Sequence, residues 1–277
     1  MNAYRELTPV NYGNSSINHL HFRFTANEMC VSAHWHDRIE LLQIVSGSLN
    51  VYLNDVHSCA RPGDIVIILP NTIHCAFAGN EGADYHVIAF DPEKYCNGTP
   101  ASEKYMQPLL LQEAAFCPVT NHPEIAETIE ELIDLLLSPK EHNPLYAMGK
   151  IYELIGLFHQ YCTIDPTLAN KPDERFGAVL SYINSNYTES ISARDISKIF
   201  GYEESYFCRR FKSATGISTT KYIRFLRMEK AQSLLRISKE SIQSIALKCG
   251  FSDICYFSNC FKRQFGVSPT EFRERET

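Results

Sequence analysis

Three histidines and one glutamate carry the most evident chemistry in the first third of the sequence. His34, His36 and Glu40 form the pattern His-x-His-x3-Glu, and His74 follows in Pro-Asn-Thr-Ile-His. Alternate side chains share a face in a regular β-strand, so we expect the first three on one face of a strand. Imidazole and carboxylate groups ligate iron, manganese, zinc or nickel, and they also hydrogen-bond polar molecules. The pattern predicts a polar pocket and a candidate divalent-metal site.

The segments around these residues are typical of β-structure up to about residue 90. Short apolar runs alternate with turn signals, a spacing that fits an antiparallel sandwich or barrel. The predicted strands are Leu20–Phe24, Ile39–Val45, Leu49–Leu53, Ile65–Leu69 and Tyr85–Phe90. The predicted turns are 46–48, 54–55, 61–64 and 79–82.

Two amphipathic helices follow the predicted strands. Glu124–Leu137 and Tyr146–Tyr161 both carry apolar residues at intervals of three and four. Either both helices pack only on the β-rich part, or one of them also forms the seam of a dimer. The sequence leaves both alternatives open.

The charge of the chain changes sign at a predicted linker. Thr163–Glu174 lacks periodicity and contains two prolines. From Arg175 onward there are 17 Lys and Arg against 10 Asp and Glu, a net charge of +7, whereas residues 1–174 carry −13. A basic segment suits phosphate and an acidic one is repelled by it. We therefore expect an N-terminal domain at 1–162, a linker at 163–174 and a basic domain at 175–277 whose charge would suit DNA.

The basic part repeats itself. Tyr206–Lys212 resembles Tyr256–Lys262 at an offset of 50 residues, and Gly201 corresponds to Gly250 at an offset of 49. Each copy is typical of a helix, a glycine turn and a second helix. Ser192 and Asp195 form a capping box at the start of the first copy. The paired phenylalanines of the second helices are predicted to be core: Phe207, Phe211, Phe257 and Phe261.

A long helix is predicted between the two copies, over Thr219–Ile237. About 20 residues at 1.5 Å each span roughly 30 Å, and successive major grooves on one face of DNA lie about 34 Å apart. Such a rod can hold two reading helices one helical turn apart. The alternative is a helical domain that binds protein.

The composition points to an intracellular protein. No apolar run approaches the ~18 residues that span a bilayer, and the first 20 residues lack an apolar signal core. The ten cysteines are scattered and include no Cys-x-x-Cys pair, as expected of apolar fillers in a reducing compartment. We expect a soluble cytoplasmic chain that does not enter the membrane.

The C-terminal 100 residues resemble the AraC/XylS family of transcription regulators. The telling stretch is 242–273, IQSIALKCGFSDICYFSNCFKRQFGVSPTEFR, together with Gly201, Gly216 and Tyr222 of the first copy. Arg227 and the AQSLL run at 231–235 fall where the family's linker helix has Arg and A-x-x-L-L.

The resemblance implies base-reading positions on the exposed face of each second helix. These positions are Ser205, Cys208 and Arg209 in the first copy, and Ile254, Cys255, Ser258 and Asn259 in the second. Arg209 can pair with guanine and Asn259 with adenine. Lys212, Lys262 and Arg263 are expected to contact phosphates. The second copy departs from the family by offering few long polar side chains there.

The His/Glu quartet resembles the metal-binding motifs of cupin barrels, with His34, His36, Glu40 and His74 in the ligand positions. Glu28 and Asn71-Thr72 stand where cupins often have glycine. Three interpretations remain open: a divalent-metal centre, a metal-free pocket for a polar effector, and a vestige that is purely structural. Trp35 and His86 are further candidates for the pocket lining.

Together these patterns predict an α+β protein of two domains, with a cupin-like antiparallel barrel and a C-terminal all-α part with two helix-turn-helix units. The resemblance implies a regulator controlled by a small molecule, such as a sugar or a related metabolite. It also implies promoter DNA, RNA polymerase and a second copy of the chain as partners. The alternatives are a metal-dependent cupin enzyme fused to a DNA-binding domain, and a constitutive DNA binder with an inactive pocket.

Overall fold

A computed structural model describes residues 17–110, 115–138, 143–164 and 174–276 of the chain. The chain divides into two compact units, and the boundary along the chain lies between Glu174 and Arg175. No helix in the described ranges combines the length and apolarity needed to span a membrane. Most of the predicted linker, 165–173, lies outside the described residues, but its first residues are held by the N-terminal unit. Ile164 N–H donates to the carbonyl of Ala115 over 3.0 Å, and Thr163 pairs with Phe116.

The N-terminal unit is built on a seven-stranded antiparallel sheet of order β1-β6-β3-β5-β7, in which β2 also pairs with β6 and β4 with β3. The strands are β1 (Ile17–Phe24), β2 (Met29–His34), β3 (Ile39–Leu53), β4 (Val56–Ala60), β5 (Ile65–Ile68), β6 (His74–Phe90) and β7 (Val119–Thr120). The two long strands, β3 and β6, pair along most of their length and form the spine of the sheet.

Both faces of this sheet are buried, and successive residues supply two separate cores. Leu41 belongs to an outer core that includes the helices, whereas Leu42 belongs to an inner core enclosed by the strands. Ile88 and Val87 divide in the same way on β6. Burial on both faces explains why apolar residues follow one another directly at 41–42 of β3 and 87–90 of β6, where a half-exposed strand would alternate apolar and polar residues.

Helices cover the outer face. They comprise a short 3-10 helix (Pro92–Tyr95), α1 (Pro100–Tyr105), α2 (Gln107–Leu110), α3 (Pro123–Leu137) and α4 (Pro144–Tyr161). The two predicted amphipathic helices are confirmed as α3 and α4, and their apolar stripes enter the outer core through residues such as Ile129 and Leu154. The predicted packing on the β-rich part is therefore correct.

Two predicted turns are wrong. Gly47 and the segment 79–82 lie inside the continuous strands β3 and β6. The register shifts on either side of Gly47, which has φ +73°, and a Cβ there would lie 2.2 Å from the carbonyl oxygen of Gly82. Glycine was needed at 47 for a bulge and a close backbone contact, both of which leave the same sequence signal as a turn.

The C-terminal unit is all helical. Its helices are α5 (Glu174–Asn186), α6 (Ala193–Ile199), α7 (Glu204–Thr215), α8 (Thr219–Ile237), α9 (Ile242–Lys248), α10 (Ile254–Phe265) and α11 (Pro269–Glu276). The bounds of α8 are those predicted, and the capping box of Ser192 and Asp195 is formed at the start of α6. The predicted fold class is confirmed.

The two repeats build two small aromatic cores. All four phenylalanines predicted to be core are fully buried: Phe207, Phe211, Phe257 and Phe261. In the first helix-turn-helix unit, Phe211 packs on Phe176 of α5 and Tyr222 of α8. In the second, Phe261 packs on Phe272 of α11. Each core lies under one face of a second helix and leaves its other face exposed.

Candidate functional site

The His/Glu quartet comes together in the N-terminal unit, although not along one strand. His34 ends β2, His36 lies in the following corner, Glu40 is near the start of β3, and His74 begins β6. The expectation of one regular strand face is therefore wrong, because the chain bends at 37–38 before β3 begins. The four side chains converge across this corner, and His34 and His74 are directly paired in the sheet.

The three imidazoles form a compact buried group. Their ring centroids are 4.2 Å apart for His34 and His74, 4.9 Å for His36 and His74, and 5.4 Å for His34 and His36. One ligand atom from each histidine lies within 4.8 Å of the other two. Glu40 Oε1 is 3.2 Å from His36 Nε2, and Oε2 is 3.8 Å from His74 Nε2.

Backbone carbonyls fix the tautomer of two rings. Nδ1 of His34 donates to the carbonyl of Ser32 over 2.8 Å, and Nδ1 of His74 donates to the carbonyl of Thr72 over 2.9 Å. A carbonyl oxygen only accepts, so Nδ1 carries the proton and Nε2 keeps its lone pair. Second-shell carbonyls orient the imidazole ligands of metal sites in this way.

Burial and the neighbouring rings set the charges in the cluster. Burial, followed by the proximity of His34 and His36, lowers the pKa of His74 well below its ordinary value. Burial alone would raise the pKa of Glu40, but the close contact with His36, followed by the proximity of His74 and His34, lowers it to about 2. The cluster therefore offers a neutral imidazole and an ionised carboxylate near neutral pH.

These residues fit a divalent metal. Nε2 of His74 and both ring nitrogens of His36 are buried. Within the described ranges, none of these three atoms has a hydrogen-bond partner in suitable geometry. Buried polar atoms normally have a partner. Three nitrogens and one carboxylate form a donor set that suits zinc, iron, manganese or nickel. A bound cation would supply a Lewis-acidic centre that attracts an oxygen of a small molecule.

A cavity of about 200 Å³ opens beside this cluster, inside the strands. His34, Glu40 and His74 supply its charged or ionisable wall, and most of the rest is aliphatic or aromatic. The apolar lining consists of Leu20, Phe22, Val31, Leu42, Val51, Leu53, Ile68, Ala76 and Val87, with Cys30, Cys75 and Tyr85 completing the wall. Leu20 and Phe22 are 44% and 38% exposed and so lie at the mouth.

Three candidates for the pocket do not line this cavity. Tyr85 and Val87 face it, so His86 between them lies on the other face of β6, where its ring stacks on His21 with centroids 4.3 Å apart. Trp35 is half-buried between two cluster histidines but is not part of the wall. His36 touches Glu40 behind the wall and does not reach the cavity.

The second candidate site is the exposed face of α7. Ser205, Cys208 and Arg209 are all exposed on this face. Glu203 caps the helix by accepting from the backbone N–H groups of Ser205 and Tyr206, and it also accepts from the hydroxyl of Ser205. Arg209 Nη1 donates to Ser205 Oγ over 3.4 Å. This chain of contacts holds the candidate guanine reader along the helix.

The corresponding face of α10 is more apolar. Ile254 is 41% exposed, Cys255 and Asn259 are exposed, and Ser258 is half-buried. Asp253 caps the helix, as Glu203 caps α7, and both helices end at a glycine with positive φ. The structure therefore repeats what the sequence repeats, down to the caps.

The predicted phosphate contacts lie in the last turn of each second helix. Lys212 lies in the last turn of α7, Lys262 and Arg263 lie in the last turn of α10, and all three are exposed. Two tyrosines were not among the sequence candidates. Tyr206 and Tyr256 occupy equivalent places and are 49% and 52% exposed. The 50-residue repeat contained both, and exposure of an aromatic hydroxyl in both copies marks them as further candidates for contact with DNA.

Two family models match the chain. The AraC-like ligand binding domain matches residues 19–155, which contain the quartet and the cavity. A helix-turn-helix domain matches residues 196–275, which contain α7 and α10.

Similar curated proteins are transcription regulators. An HTH-type transcriptional activator RhaS of Enterobacter sp. is 33% identical over 152 residues, covering 53% of this chain and 54% of that protein. The Msm operon regulatory protein of Streptococcus mutans is 29% identical over 182 residues, covering 65% and 58%. The matched segments thus span somewhat over half the length of these relatives.

Solved structures are also similar. ToxT from Vibrio cholerae is 14% identical with a TM-score of 0.45, covering 94% of this chain and 98% of that one. The C-terminal domain of AraT from Geobacillus stearothermophilus is 27% identical with a TM-score of 0.37, covering 38% and 88%.

The two matched models follow one another in the order of the two units, and together they account for both the ligand-type cavity and the duplicated helical corner. The chain therefore belongs to the AraC/XylS family of transcription regulators.

Proposed function

We propose that this chain binds promoter DNA through α7 and α10 and that a small molecule in the cavity of the N-terminal unit controls this binding. The duplicated helical corner carries the proposal. Both second helices bury one aromatic face and expose the other, and both carry exposed cations in the last turn. This is the arrangement that a helix-turn-helix needs to enter a major groove.

The working organisation is an effector domain at 1–162, a linker at 163–174 and a DNA-binding domain at 175–277. The effector must bind one arrangement of the protein better than another, because a ligand with equal affinity for both shifts nothing. We further propose that the regulator acts in the cytoplasm as a homodimer that contacts RNA polymerase at the promoter.

The cavity narrows the class of effector. The resemblance implies a sugar or a related metabolite, but hydrogen-bonding groups cluster at His34, Glu40 and His74 while most of the wall is apolar. The cavity is also smaller than the roughly 300–1,000 Å³ of typical ligand pockets. We propose a small metabolite that presents one hydroxyl- or carboxylate-bearing end to the cluster, directly or through a metal, and an apolar remainder to the aliphatic wall.

Selection of DNA from a random-sequence pool tests the proposal. The full chain should enrich one sequence class and bind it at least about 10³-fold more tightly than unselected DNA. The affinity for the selected fragment is then measured with a panel of monosaccharides and short hydroxy acids, with and without Zn²⁺ or Mn²⁺. Enrichment of no sequence would contradict DNA reading, and an affinity unmoved by every compound would contradict control through the cavity.

The alternative function is a metal-dependent enzyme fused to a DNA-binding domain, which the same buried ligand set favours. Turnover of any panel compound by the metal-loaded chain, lost with His74→Ala, would support the enzyme. Binding without turnover supports the regulator.

A further inference from the structure

Arg227, near the middle of α8, connects the two helix-turn-helix units. Its Nε donates to the carbonyl of Tyr187 over 2.6 Å and its Nη2 to the carbonyl of Glu189 over 2.8 Å. Both acceptors lie in the segment between α5 and α6, which leads directly into the first unit. Its Nη1 donates to the carbonyl of Gly250 over 2.9 Å, in the turn of the second unit. One rigid guanidinium thus holds both the segment that leads into the first unit and the turn of the second unit.

The two backbones that Arg227 holds also touch each other. Gly250 has φ +81°, and a Cβ there would lie 2.3 Å from the carbonyl oxygen of Thr188. Around this contact, Arg227 lies over the ring of Phe251, 5.6 Å from its centroid, and Lys230 lies 5.7 Å from the ring centroid of Tyr187. The turn of the second unit is therefore seated directly on the first.

A comparison with Arg175 shows what is specific to Arg227. Arg175 donates to the carbonyls of Phe200 and Gly201 in the turn of the first unit, and it stacks on Tyr202. Each glycine turn is therefore held by an arginine from the helix that precedes its unit. Only the second arginine, in the described part of the chain, also reaches back to the other unit.

The choice of partners argues against a simple ion pair. No carboxylate in the described ranges lies within ion-pair distance of Arg227, and its hydrogen bonds all go to backbone carbonyls. Burial lowers the pKa of this guanidinium, so its partial desolvation carries a cost. Carbonyls fixed in the backbone define a position more strictly than a mobile acidic side chain would.

We propose that Arg227, seated against the Gly250 turn, fixes the separation and angle of α7 and α10 and so sets the spacing between the two DNA segments that the chain reads. Arg227 is a positioning residue in this account and does not touch DNA. The inference rests on the proposed function, since it requires both second helices to bind one DNA molecule. Two linked sites gain affinity over one only if their geometry lets both bind at once.

A spacing series tests this inference. A fragment selected from random DNA by the wild-type chain is rebuilt with one or two base pairs inserted between its two contacted segments, and with either segment randomised. We expect wild type to lose at least about tenfold in affinity on each insertion. Arg227→Met should bind the parent fragment at least about tenfold more weakly and lose less than about threefold further on insertion. Its affinity for fragments with one segment should match that of wild type.

Two further variants keep the result interpretable. Arg175→Met removes the corresponding arginine within the first unit, and it should keep the spacing dependence of wild type. Gly250→Ala disturbs the same contact by placing a Cβ against the carbonyl oxygen of Thr188. Like Arg227→Met, it should make the affinity for DNA less dependent on the spacing of the two segments. Urea unfolding establishes whether each variant is folded. If Arg227→Met is unfolded, the spacing series is carried out with Gly250→Ala and Arg227→Lys instead.

The outcomes are distinct. Failure of wild type to bind DNA, or to lose affinity on insertion, would sink the proposed use of both helices. Wild-type spacing dependence that persists in Arg227→Met and Gly250→Ala would overturn this inference alone. An equal loss at every spacing and for one-segment fragments would also overturn it, because that pattern indicates a general structural role.

Discussion

Nε2 of His36 lies 3.2 Å from Oε1 of Glu40, with the histidine 1% exposed and the glutamate 15% exposed. This contact joins the corner after β2 to the start of β3, and it faces His74 at the start of β6. An acidic group and three imidazoles are thus held together by the strands themselves. The cluster is a candidate metal-ligand set. Three of its members, His34, Glu40 and His74, also supply the imidazole and carboxylate groups of the cavity wall.

Metal binding is the first testable consequence. We expect the full chain to bind Zn²⁺ or Mn²⁺ at one site per chain, because three imidazoles and a carboxylate converge there. His74→Ala should weaken this affinity by at least about tenfold, measured by isothermal titration calorimetry. His86→Ala is the matched control, since this histidine lies on the opposite face of β6. Equal affinities in wild type and His74→Ala would remove the metal from the account.

Base reading by Arg209 is the second consequence. Arg209→Ala should cost about 1–3 kcal/mol in affinity for the selected fragment and relax the preference at one base position. The reason is that a guanidinium can pair with both acceptors of guanine in the major groove. Repeating the DNA selection with the variant measures both effects. A uniform loss across all sequences, with every preference retained, would show that Arg209 only positions the helix.

Phosphate binding by Lys262 is the third. Lys262→Ala should weaken binding to selected and unselected DNA alike, because a lysine in the last turn of α10 is expected to contact phosphate, which carries no sequence information. The slope of log affinity against log salt should fall by about 0.9 for one lost phosphate contact. Lys239→Ala, at an exposed position after α8, is the control and should leave the slope unchanged. A changed base preference in Lys262→Ala would contradict this role.

The cap of α7 gives a prediction for pH. Hydrogen bonds from the Ser205 hydroxyl, then from the backbone of Ser205 and Tyr206, lower the pKa of Glu203 to about 2. A lowered pKa means that the ionised cap stabilises the fold fully above the unfolded value of about 4.3 and loses this effect as pH falls toward 2. The stability gap, meaning the difference in the free energy of unfolding between wild type and Glu203→Gln measured in urea, should therefore narrow as the pH falls over that window.

The neighbouring Glu204 provides the control for this titration. Glu204→Gln removes the same charge from the same turn, but Glu203 is the residue that caps the helix. At neutral pH, Glu204→Gln should lower the free energy of unfolding less than Glu203→Gln does, because it leaves the cap in place. A Glu203 gap that widens as the pH falls would contradict the capping account.

Sequence patterns predicted the helices better than the strands. The intervals of α3, α4 and α8 follow one apolar stripe, so the sequence pattern identifies both the helix and its buried face. The strands β3 and β6 are buried on both sides, and their interior glycines serve bulges. In the sequence, a glycine at 47 indicates that the strand is interrupted, by a turn or by a bulge. Only the close contact with Gly82 on the paired strand shows that it is a bulge.

The candidate sites divide in a similar way. The quartet was found because His34, His36 and Glu40 are close in sequence, yet the corner that brings them together was not foreseen. The apolar wall could not be predicted, since Leu20, Val51 and Ile68 come from different strands. The contacts of Arg227 go to backbone carbonyls, which have no signature in side-chain type.

Methylation protection of the selected DNA fragment tests the central claim most directly. If α7 and α10 both read DNA, each bound chain should protect two short major-groove segments about 10–10.5 base pairs apart on one face of the duplex. Ser205→Ala with Arg209→Ala should remove one segment and leave the other. Protection of a single segment by wild type, or of the minor groove alone, would contradict the account.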